Sequence, residues 1–413
     1  MTDTKWIGRR DALALGLAAG AATAVRPARA QQPSEVKIAM LVPMSGPWAR
    51  QGILEQMGAE LAIDDVNSAG GIKSLGGAKL KLVQYDTGDS AEKAKNAAQR
   101  MVAQEPDLVG GFGCWLSSFT LAATEVTERA SLPWLTLSYS DLITGRGFRY
   151  VFQTSPTAPQ QADDTVPIVM ALAEKTTGKR PTKVGIIGDS TAAAVSFRKA
   201  LDEHVLKDQK LSAVVNEVYT PPLSDATTLV QAVRSARPDF MLLLSTSVPD
   251  DKLLTEKFNE YGMGATKLPL VGNGGHWGTP ELLKVTGADL LQGVMVGLAN
   301  WPGKDQAALS KRFEERTKEP WFGHDSLFAY AHVMILKEAL EKAGVAERQK
   351  VAEAIRKLDM TDGPALLFPG HHLQFDDKGR RKNAQMVMIQ WQNGKPVTIY
   401  PTDIAAAPAI WKA

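Results

Sequence analysis

The sequence predicts an α/β protein with two Rossmann-like lobes, each built around a mostly parallel sheet. Short apolar runs alternate with helical segments, which is typical of βαβ units whose strands are buried on both faces. The first run, VKIAMLV at Val36–Val42, is followed by a helical stretch with apolar residues at Ile53, Met57 and Leu61. The alternation restarts near Val184, which indicates a second unit of similar size.

The remaining elements follow from the same pattern. In the first unit they are strand Leu80–Tyr85, helix Ala91–Gln104, strand Leu108–Gly111, helix Ser118–Arg129 and strand Trp134–Leu137. In the second unit they are strand Val184–Ile187, helix Ala192–Lys207, strand Ala213–Tyr219, helix Asp225–Arg234, strand Phe240–Leu244, helix Asp251–Tyr261 and strand Leu268–Val271. The last third predicts helices Asp305–Thr317, His324–Ala343 and Gln349–Lys357, then strands near Leu373–Phe375 and Gln385–Gln392. The Pro-, Thr- and Gln-rich segment Phe152–Pro167 predicts a crossing between the units.

Residues 1–30 have the pattern of a signal peptide. Lys5, Arg9 and Arg10 precede the uncharged stretch Ala12–Val25, and Ala28–Ala30 has the small-x-small form of a cleavage site. The stretch is shorter than the roughly 20 residues that a membrane span needs. The adjacent arginines favour the twin-arginine export route. A retained amphipathic helix is the alternative.

Charge and cysteine content restrict the function classes. The chain has 47 Lys and Arg against 45 Asp and Glu, and five of the basic and two of the acidic residues lie in the first thirty. The processed chain would therefore be almost neutral, which gives no electrostatic basis for binding nucleic acid. Cys114 is the single cysteine, so no disulfide can form within one chain.

The candidate site lies where parallel strands end, because ligands of open α/β sheets bind outside the carboxyl ends of the strands. Six loops follow such strands and are rich in hydroxyl groups and glycine: Pro43–Trp48, Gly113–Ser118, Ser138–Ser140, Gly188–Thr191, Ser245–Ser247 and Gly272–Trp277. Ser117 begins a predicted helix, where its hydroxyl and the free backbone N–H groups favour an anion. The alternative is that Ser117 only caps its helix and that the tryptophans in these loops are core residues.

Enzyme and metal interpretations find little support. There is no Gly-x-Ser-x-Gly or His-Glu-x-x-His motif, and Cys114 has no base near it in sequence. Gly110–Gly113 and Gly272–Gly275 lack the Walker lysine and the dinucleotide spacing. His371 and His372 fall in a stretch that reads as a strand, where neighbours point to opposite faces. We therefore expect no catalytic residue, no cofactor and no metal.

The order of four motifs resembles a known family over nearly the whole chain after residue 30. The motifs are VKIAMLVPMSGPWARQG at 36–52, AELAIDDVNSAGGI at 59–72, YDT at 85–87 and FDDKG at 375–379. They resemble the leucine/isoleucine/valine-binding proteins, which are the type I periplasmic binding proteins of branched-chain amino acid ABC importers.

The resemblance implies two lobes joined by a three-crossing hinge, residues 35–153 with 299–366 and residues 154–298 with 367–413. It also implies a clamp in the periplasm that closes on a small solute and delivers it to permease subunits in the inner membrane. The processed protein itself would not be embedded in the membrane. A ligand-sensing protein of a signalling system and, less favoured, an α/β enzyme are the alternatives.

The resemblance assigns site residues from both lobes. Ser117, Ser138 and Ser140 match positions that grip the carboxylate of an amino acid ligand. Trp48 matches the region of an aromatic that covers the ligand. From the second lobe, we expect Thr246 and His276 to contact the ligand only after closure.

One departure from the family leaves the ligand open. Gly274 stands where relatives place a glutamate that pairs with the ligand ammonium, and an unpaired buried ammonium would be costly. Asp325 is a candidate replacement for that glutamate. Otherwise the ligand lacks an amine and is an aromatic or aliphatic acid, an amide or a urea-like molecule.

Overall fold

The structure is a computed structural model, and it describes residues 1–2 and 33–411. The signal-peptide prediction for residues 1–30 falls, apart from the first two residues, outside the described part and stays a prediction. Within the described residues, no helix combines the length and the apolar character needed to cross a membrane.

The first lobe is built on a five-stranded parallel sheet in the order β2-β1-β3-β4-β5. Its opening elements are β1 (Glu35–Val42), α1 (Ala49–Ser68), β2 (Lys79–Asp86), α2 (Ala91–Gln104), β3 (Gly110–Gly113), α3 (Ser117–Arg129), β4 (Trp134–Thr136), α4 (Leu142–Gly145) and β5 (Val151–Gln153). A run of fully buried residues at the centre of β1, Ile38–Val42, shows that helices cover both faces of this sheet.

The second lobe contains a seven-stranded sheet in the order β14-β13-β10-β9-β8-β6-β7. Its first stretch contains α5 (Ala158–Thr177), β6 (Lys183–Asp189), α6 (Ala192–Ala200), α7 (Leu206–Asp208), β7 (Ser212–Tyr219), α8 (Thr227–Ala236), β8 (Phe240–Leu244), α9 (Val248–Glu260), β9 (Leu270–Asn273), α10 (Pro280–Thr286), α11 (Ala288–Leu291) and β10 (Met295–Leu298). Strands β6 to β10 are parallel, so both lobes are α/β units as predicted.

The chain then returns to each lobe once more. The first lobe receives α12 (Ala307–Thr317), α13 (His324–Ala343), α14 (Arg348–Arg356), β11 (Asp359–Met360) and β12 (Leu373–Gln374). The second sheet is completed by the antiparallel strands β13 (Val387–Gln392) and β14 (Lys395–Tyr400). Leu373 and Phe375 still pack in the core of the first lobe, beyond the expected boundary at residue 366.

In the described chain, the lobes are connected at residues 154–157, 299–303 and 376–386. The third crossing is hydrogen-bonded to the end of β5, just before the first crossing begins. The Gln153 N–H donates to the Gly379 carbonyl at 2.8 Å, and the Arg381 N–H donates to the Gln153 carbonyl at 2.9 Å. The expected crossing Phe152–Pro167 contains the connection at residues 154–157 but is too long, since the chain from Ala158 onward, Pro167 included, forms helix α5. The apolar face of α5 packs in the second core, and this burial outweighs the local cost of the proline.

A second local expectation is also wrong. His371 adopts a left-handed backbone conformation with φ of 46°, and β12 starts only at Leu373, so the two histidines lie in a turn. They nevertheless have separate partners: His371 meets Asp305 at 3.1 Å and His372 meets Asp359 at 2.8 Å. Within residues 1–2 and 33–411, no group of three His, Cys, Asp or Glu side chains is placed to hold a metal ion.

Candidate functional site

A cavity lies between the two lobes at the carboxyl ends of their strands. It encloses about 460 Å³ of space free of atoms. The first lobe contributes loops after β3 and β4 and the start of α3, and the second lobe contributes the start of α6 and the loops after β8 and β9. Its walls include Trp115, Ser117, Ser138 and Tyr139 on one side and Ala193, Ala194, Phe197, Thr246, Gly274 and His276 on the other. The structure thus brings five of the eight predicted site residues to one cavity.

Ser117 is the first residue of α3, and its hydroxyl is oriented by the neighbouring loop. The backbone N–H groups of Tyr139 and Ser140 both donate to its Oγ at 3.0 Å. A serine oxygen has two acceptor sites and one hydrogen, so only the hydrogen is left to bind another group. The first N–H groups of α3 also have no partner inside the helix. The site therefore offers hydrogen-bond donors to an acidic or carbonyl oxygen.

The Ser138 hydroxyl is already engaged by its neighbours, and its contact with a ligand stays a prediction. This hydroxyl donates to the backbone carbonyl of Trp115 at 2.7 Å, so its single hydrogen is already used. The hydroxyls of Thr136 and Thr120 lie 3.0 Å and 2.6 Å from the same oxygen. Ser138 therefore lines the cavity but chiefly fixes the loop that carries Trp115.

Ser140 and Trp48 lie outside the cavity walls and connect the lobes. The Ser140 hydroxyl is 2.8 Å from that of Ser196 on α6. The indole N–H of Trp48 donates to the backbone carbonyl of Thr246 at 3.0 Å, and its ring packs edge-on against Phe119. The structure therefore shows the lobes in contact, with second-lobe residues meeting first-lobe residues directly.

Among the described residues, those that line the cavity from the second lobe carry no charge. Burial lowers the pKa of His276 to about 3, so its imidazole is neutral. The Asp251 carboxylate oxygen lies 3.4 Å from its Nε2 without forming a hydrogen bond. The Thr246 hydroxyl donates to Asp189 at 2.5 Å. Among the described residues that line the cavity, none is lysine or arginine, so an anion would depend on hydroxyl and N–H donors.

The loop with Gly274 leaves no room for the glutamate of the relatives. A Cβ atom at Gly274 would lie 2.8 Å from the His276 ring, and its φ of 114° disfavours any side chain. A Cβ atom at Gly275 would lie 2.5 Å from His324 and 2.7 Å from an oxygen of Asp325. The two glycines let this second-lobe loop approach the first lobe closely.

Asp325 is buried behind Trp115 and is not part of the cavity wall. Its Oδ1 accepts the indole N–H of Trp115 at 2.9 Å. Burial raises the pKa of Asp325 to about 7. Beside it, the Tyr139 hydroxyl lies 3.0 Å from Nε2 of His324, whose Nδ1 is 3.1 Å from the Asn300 carbonyl. A carbonyl only accepts, so Nδ1 carries the proton and the tyrosine donates to Nε2.

Sequence reasoning missed the apolar part of the cavity. Ala193, Ala194 and Phe197 at the start of α6 form much of the second-lobe wall. The alanine run at the start of α6 directly follows the predicted loop Gly188–Thr191, but alanine carries no chemical signal of its own. Only the position after a strand end could have indicated it.

Two lobes that meet around a cavity lined from both sides define a bilobal solute-binding protein. The chain belongs to the periplasmic binding protein family, whose model matches residues 35–396. This is a family of solute-binding proteins and not of enzymes.

Similar proteins support the assignment. The Leu/Ile/Val-binding protein homolog 8 of Brucella melitensis is 31% identical over 394 residues, which are 92% of this chain and 94% of that protein. The branched-chain amino acid transporter substrate-binding protein of Streptococcus pneumoniae, solved in complex with isoleucine, has a TM-score of 0.75 at 19% identity and covers 88% of this chain and 99% of its own. An ABC transporter solute-binding protein of Rhodopseudomonas palustris, in complex with 3,4-dihydroxybenzoic acid, has a TM-score of 0.72 at 19% identity and covers 88% and 95%. The last two likenesses concern the fold.

Proposed function

We propose that this protein is the periplasmic solute-binding component of an ABC-type importer and that it captures a small organic acid or amide between its lobes. The family, the named relative in Brucella melitensis and the two ligand-bound neighbours support this proposal. Isoleucine and dihydroxybenzoic acid differ in side chain but share a carboxylate, and a carboxylate suits the donors that this cavity offers.

The observation that carries the proposal is the hydroxyl hydrogen of Ser117, which has no acceptor among the described residues. Two backbone N–H groups saturate its oxygen, and the serine stands at the N-terminus of α3, where the helix dipole favours negative charge. A ligand oxygen would accept from this hydroxyl and from the first backbone N–H groups of the helix. The predominantly apolar wall from α6 would then enclose the rest of the solute.

Closure of the lobes is the step that would signal the loaded state to the permease. Hydrogen bonds that join the lobes in this structure include Trp48 to Thr246, Ser140 to Ser196, and the Ala192 N–H to the Ser118 hydroxyl at 3.3 Å. The Trp321 indole N–H also donates to the Gly278 carbonyl at 3.0 Å, and the Ala158 N–H to the Tyr139 carbonyl at 2.6 Å. A solute shifts the balance toward this arrangement only by binding it better than the open one. Thr246 and His276 line the cavity from the second lobe, so they would add such contacts on closure.

Substitution of Ser117 tests the site. Purified protein without residues 1–30 would be screened by thermal shift against branched-chain amino acids, aromatic acids, keto acids, amides and urea. The dissociation constant of the best solute would then be measured by calorimetry. We expect Ser117→Ala to weaken the binding of that solute by about 1–3 kcal/mol, because a hydrogen-bond donor to a charged or polar oxygen of the solute is lost.

Ser247→Ala is the matched control. Ser247 is equally buried and caps α9 by accepting the Asp250 N–H, but it does not line the cavity. This variant should lower the melting temperature with unchanged affinity. If Ser117→Ala binds the solute as tightly as the wild type, Ser117 is not in the site. If no small acid or amide binds at all, the proposed function is wrong.

A further inference from the structure

Three polar side chains are buried together behind Trp115, on the side away from the cavity. Gln51 and Glu55 are one turn apart on α1, and Asp325 lies in the first turn of α13. Their exposed fractions are 0%, 0% and 2%. Residues four apart share one face of a helix, so the first two side chains lie side by side.

The packing of α1 on α13 brings these groups together. A Cβ atom at Gly58 would lie only 2.0 Å from the backbone oxygen of Ser326, so the two helices touch through backbone. The Ser326 hydroxyl also donates to the Leu54 carbonyl at 2.8 Å. Asp325, which precedes Ser326, therefore reaches the same interior space as Glu55.

Most polar atoms of this cluster have no partner in the described chain. Both amide atoms of Gln51, both carboxyl oxygens of Glu55 and Oδ2 of Asp325 are buried, and no group within residues 33–411 hydrogen-bonds to them. Buried polar atoms are nearly always paired, because an unpaired one loses its hydration without compensation. Five such atoms in one place indicate a binding position for a group from outside the chain.

The charge of the cluster limits what that group can be. Burial and the neighbouring Asp325 raise the pKa of Glu55 well above its usual range. The Arg50 guanidinium, whose charge acts on Asp325, is engaged through Nη2 with Glu319 at 2.6 Å, while its buried Nε has no partner in the described chain. Four of the five unpartnered atoms are oxygens, so the position calls for N–H donors and disfavours a second carboxylate.

Trp115 separates this cluster from the cavity. Its ring lines the cavity and lies 5.8 Å from the His276 ring, centroid to centroid, while its indole N–H donates to Asp325 at 2.9 Å. Trp115 and the preceding Cys114 both have positive φ, 45° and 70°, a conformation that non-glycine residues rarely adopt. An N–H group of the protein thus occupies Oδ1 of the Asp325 carboxyl and leaves Oδ2 without a partner in the described chain.

We infer that Gln51, Glu55 and Asp325 form a second subsite, which receives an N–H-bearing group of the solute, an ammonium or a carboxamide, once Trp115 moves aside. This inference rests on the proposed function, because the acidic or carbonyl end of the same solute binds at Ser117. The amino group that relatives hold from the second lobe would here be held entirely by the first. The indole N–H of Trp115 competes with the solute for Asp325.

Matched pairs of solutes test this subsite. Calorimetry would compare leucine with isocaproate, phenylalanine with hydrocinnamate, and succinamate with butyrate. Each pair keeps the carboxylate and differs in an ammonium or, in the last pair, a carboxamide. We expect the N–H-bearing member of at least one pair to bind about tenfold tighter or more, since each hydrogen bond to a charged group contributes that much. The double substitution Glu55→Gln with Asp325→Asn should abolish this preference and leave the affinity for the deaminated acid within about twofold.

Two further variants keep the test decisive. Asp250→Asn removes a carboxyl that is equally buried but bonded to Tyr219 and Leu223 in the second lobe, and it should keep the preference. Trp115→Phe keeps an aromatic ring without the competing N–H and should tighten binding of the N–H-bearing solute severalfold, even if the double variant does not fold. Equal or tighter binding of the deaminated acids would overturn the subsite but leave the proposed function intact. Binding of no member of any pair would overturn both.

Discussion

The two faces of the cleft are built from different chemistry. The first-lobe face presents a serine hydroxyl with a free hydrogen at a helix N-terminus, and a buried set of unpartnered oxygens lies behind Trp115. The second-lobe face is formed by Ala193, Ala194 and Phe197 of α6 and by a neutral imidazole at His276. The first lobe can therefore select a polar group, whereas the second mainly supplies shape.

The acidic residues of the second lobe illustrate the contrast. Asp189 accepts the Thr191 N–H at 2.9 Å and the Thr246 hydroxyl at 2.5 Å, so both of its oxygens are engaged. Asp251 accepts the Ser245 hydroxyl at 2.5 Å through Oδ1, while its Oδ2 has no hydrogen-bond partner in the described chain. These carboxyls stabilise the loops that carry the cavity wall. The comparison teaches that a buried carboxyl near a cleft is structural when its own loop satisfies both oxygens, as for Asp189. Asp251 and Asp325 each keep one oxygen without a partner in the described chain, but Asp325 also lies beside Glu55, whose two oxygens are unpartnered there as well.

The largest effect should come from the apolar face. Phe197 is fully buried, lines the cavity and packs in a core of the second lobe. Phe197→Ala should lower the free energy of unfolding by about 3–5 kcal/mol, because it removes buried area and leaves a cavity. Urea unfolding measures this loss, and calorimetry measures the affinity for the solute found in the screen.

A matched phenylalanine shows whether the face matters beyond stability. Phe258 is as buried as Phe197 but packs in another second-lobe cluster, away from the cavity. Phe258→Ala should cost similar stability and leave affinity unchanged, while Phe197→Ala should weaken binding. If both variants bind equally well, the α6 wall does not enclose the solute.

A smaller effect should come from Asp325, because its buried carboxyl makes the stability of the folded protein depend on pH. The folded protein keeps the Asp325 proton up to about pH 7, whereas the unfolded chain releases it near the ordinary value of 3.8. Between these values the folded state binds more protons, so this group contributes stability that falls as pH rises. Asp325→Asn removes that contribution. The free energy of unfolding of the variant, relative to that of the wild type, should therefore increase as pH rises from 4 to 7, by at most about 4 kcal/mol.

Denaturant unfolding at several pH values measures that difference. The buried histidines His276, His324 and His332 have lowered pKa values and give the opposite slope, since they must lose a proton on folding. They are present in both proteins and cancel in the comparison. A difference between variant and wild type that stays constant with pH would show that Asp325 is ionised in the folded protein.

The sequence predicted the architecture because the signals were periodic and local. Helix α2 and helix α13 begin and end where the pattern places them, and β1 was recognised from one uninterrupted apolar run. Helix α5 was mistaken for a crossing, because Pro167 and its polar neighbours give a breaker signal that burial of the opposite face overrides. Tertiary packing determines the helical conformation of that segment, and such packing cannot be inferred from a short window of sequence.

The site was less accessible to sequence reasoning for a related reason. Strand ends pointed to the loops of Ser117, Ser138, Thr246, Gly274 and His276, and these residues line one cavity, while their contact with a ligand stays a prediction. What each group can still bind depends on partners distant in sequence, such as Trp115 and Asp325, which are 210 positions apart. Ser117 and Ser138 look alike in the sequence, yet the hydrogen of one is free and that of the other is used.

The smallest expected effect concerns the contact between the two faces. Trp48→Phe removes the indole N–H that bonds to the Thr246 carbonyl across the cleft, while the aromatic packing on Phe119 remains. The closed arrangement should lose about 0.5–1.5 kcal/mol of stabilisation relative to the open one. The affinity for a solute whose binding requires closure should therefore fall by roughly two- to tenfold. Trp391→Phe is the control, because its indole N–H bonds to the Trp277 carbonyl at 2.8 Å within the second lobe. That control should lower the melting temperature and leave affinity unchanged, whereas equal affinity in the Trp48 variant and the wild type would mean that solute binding does not require this contact.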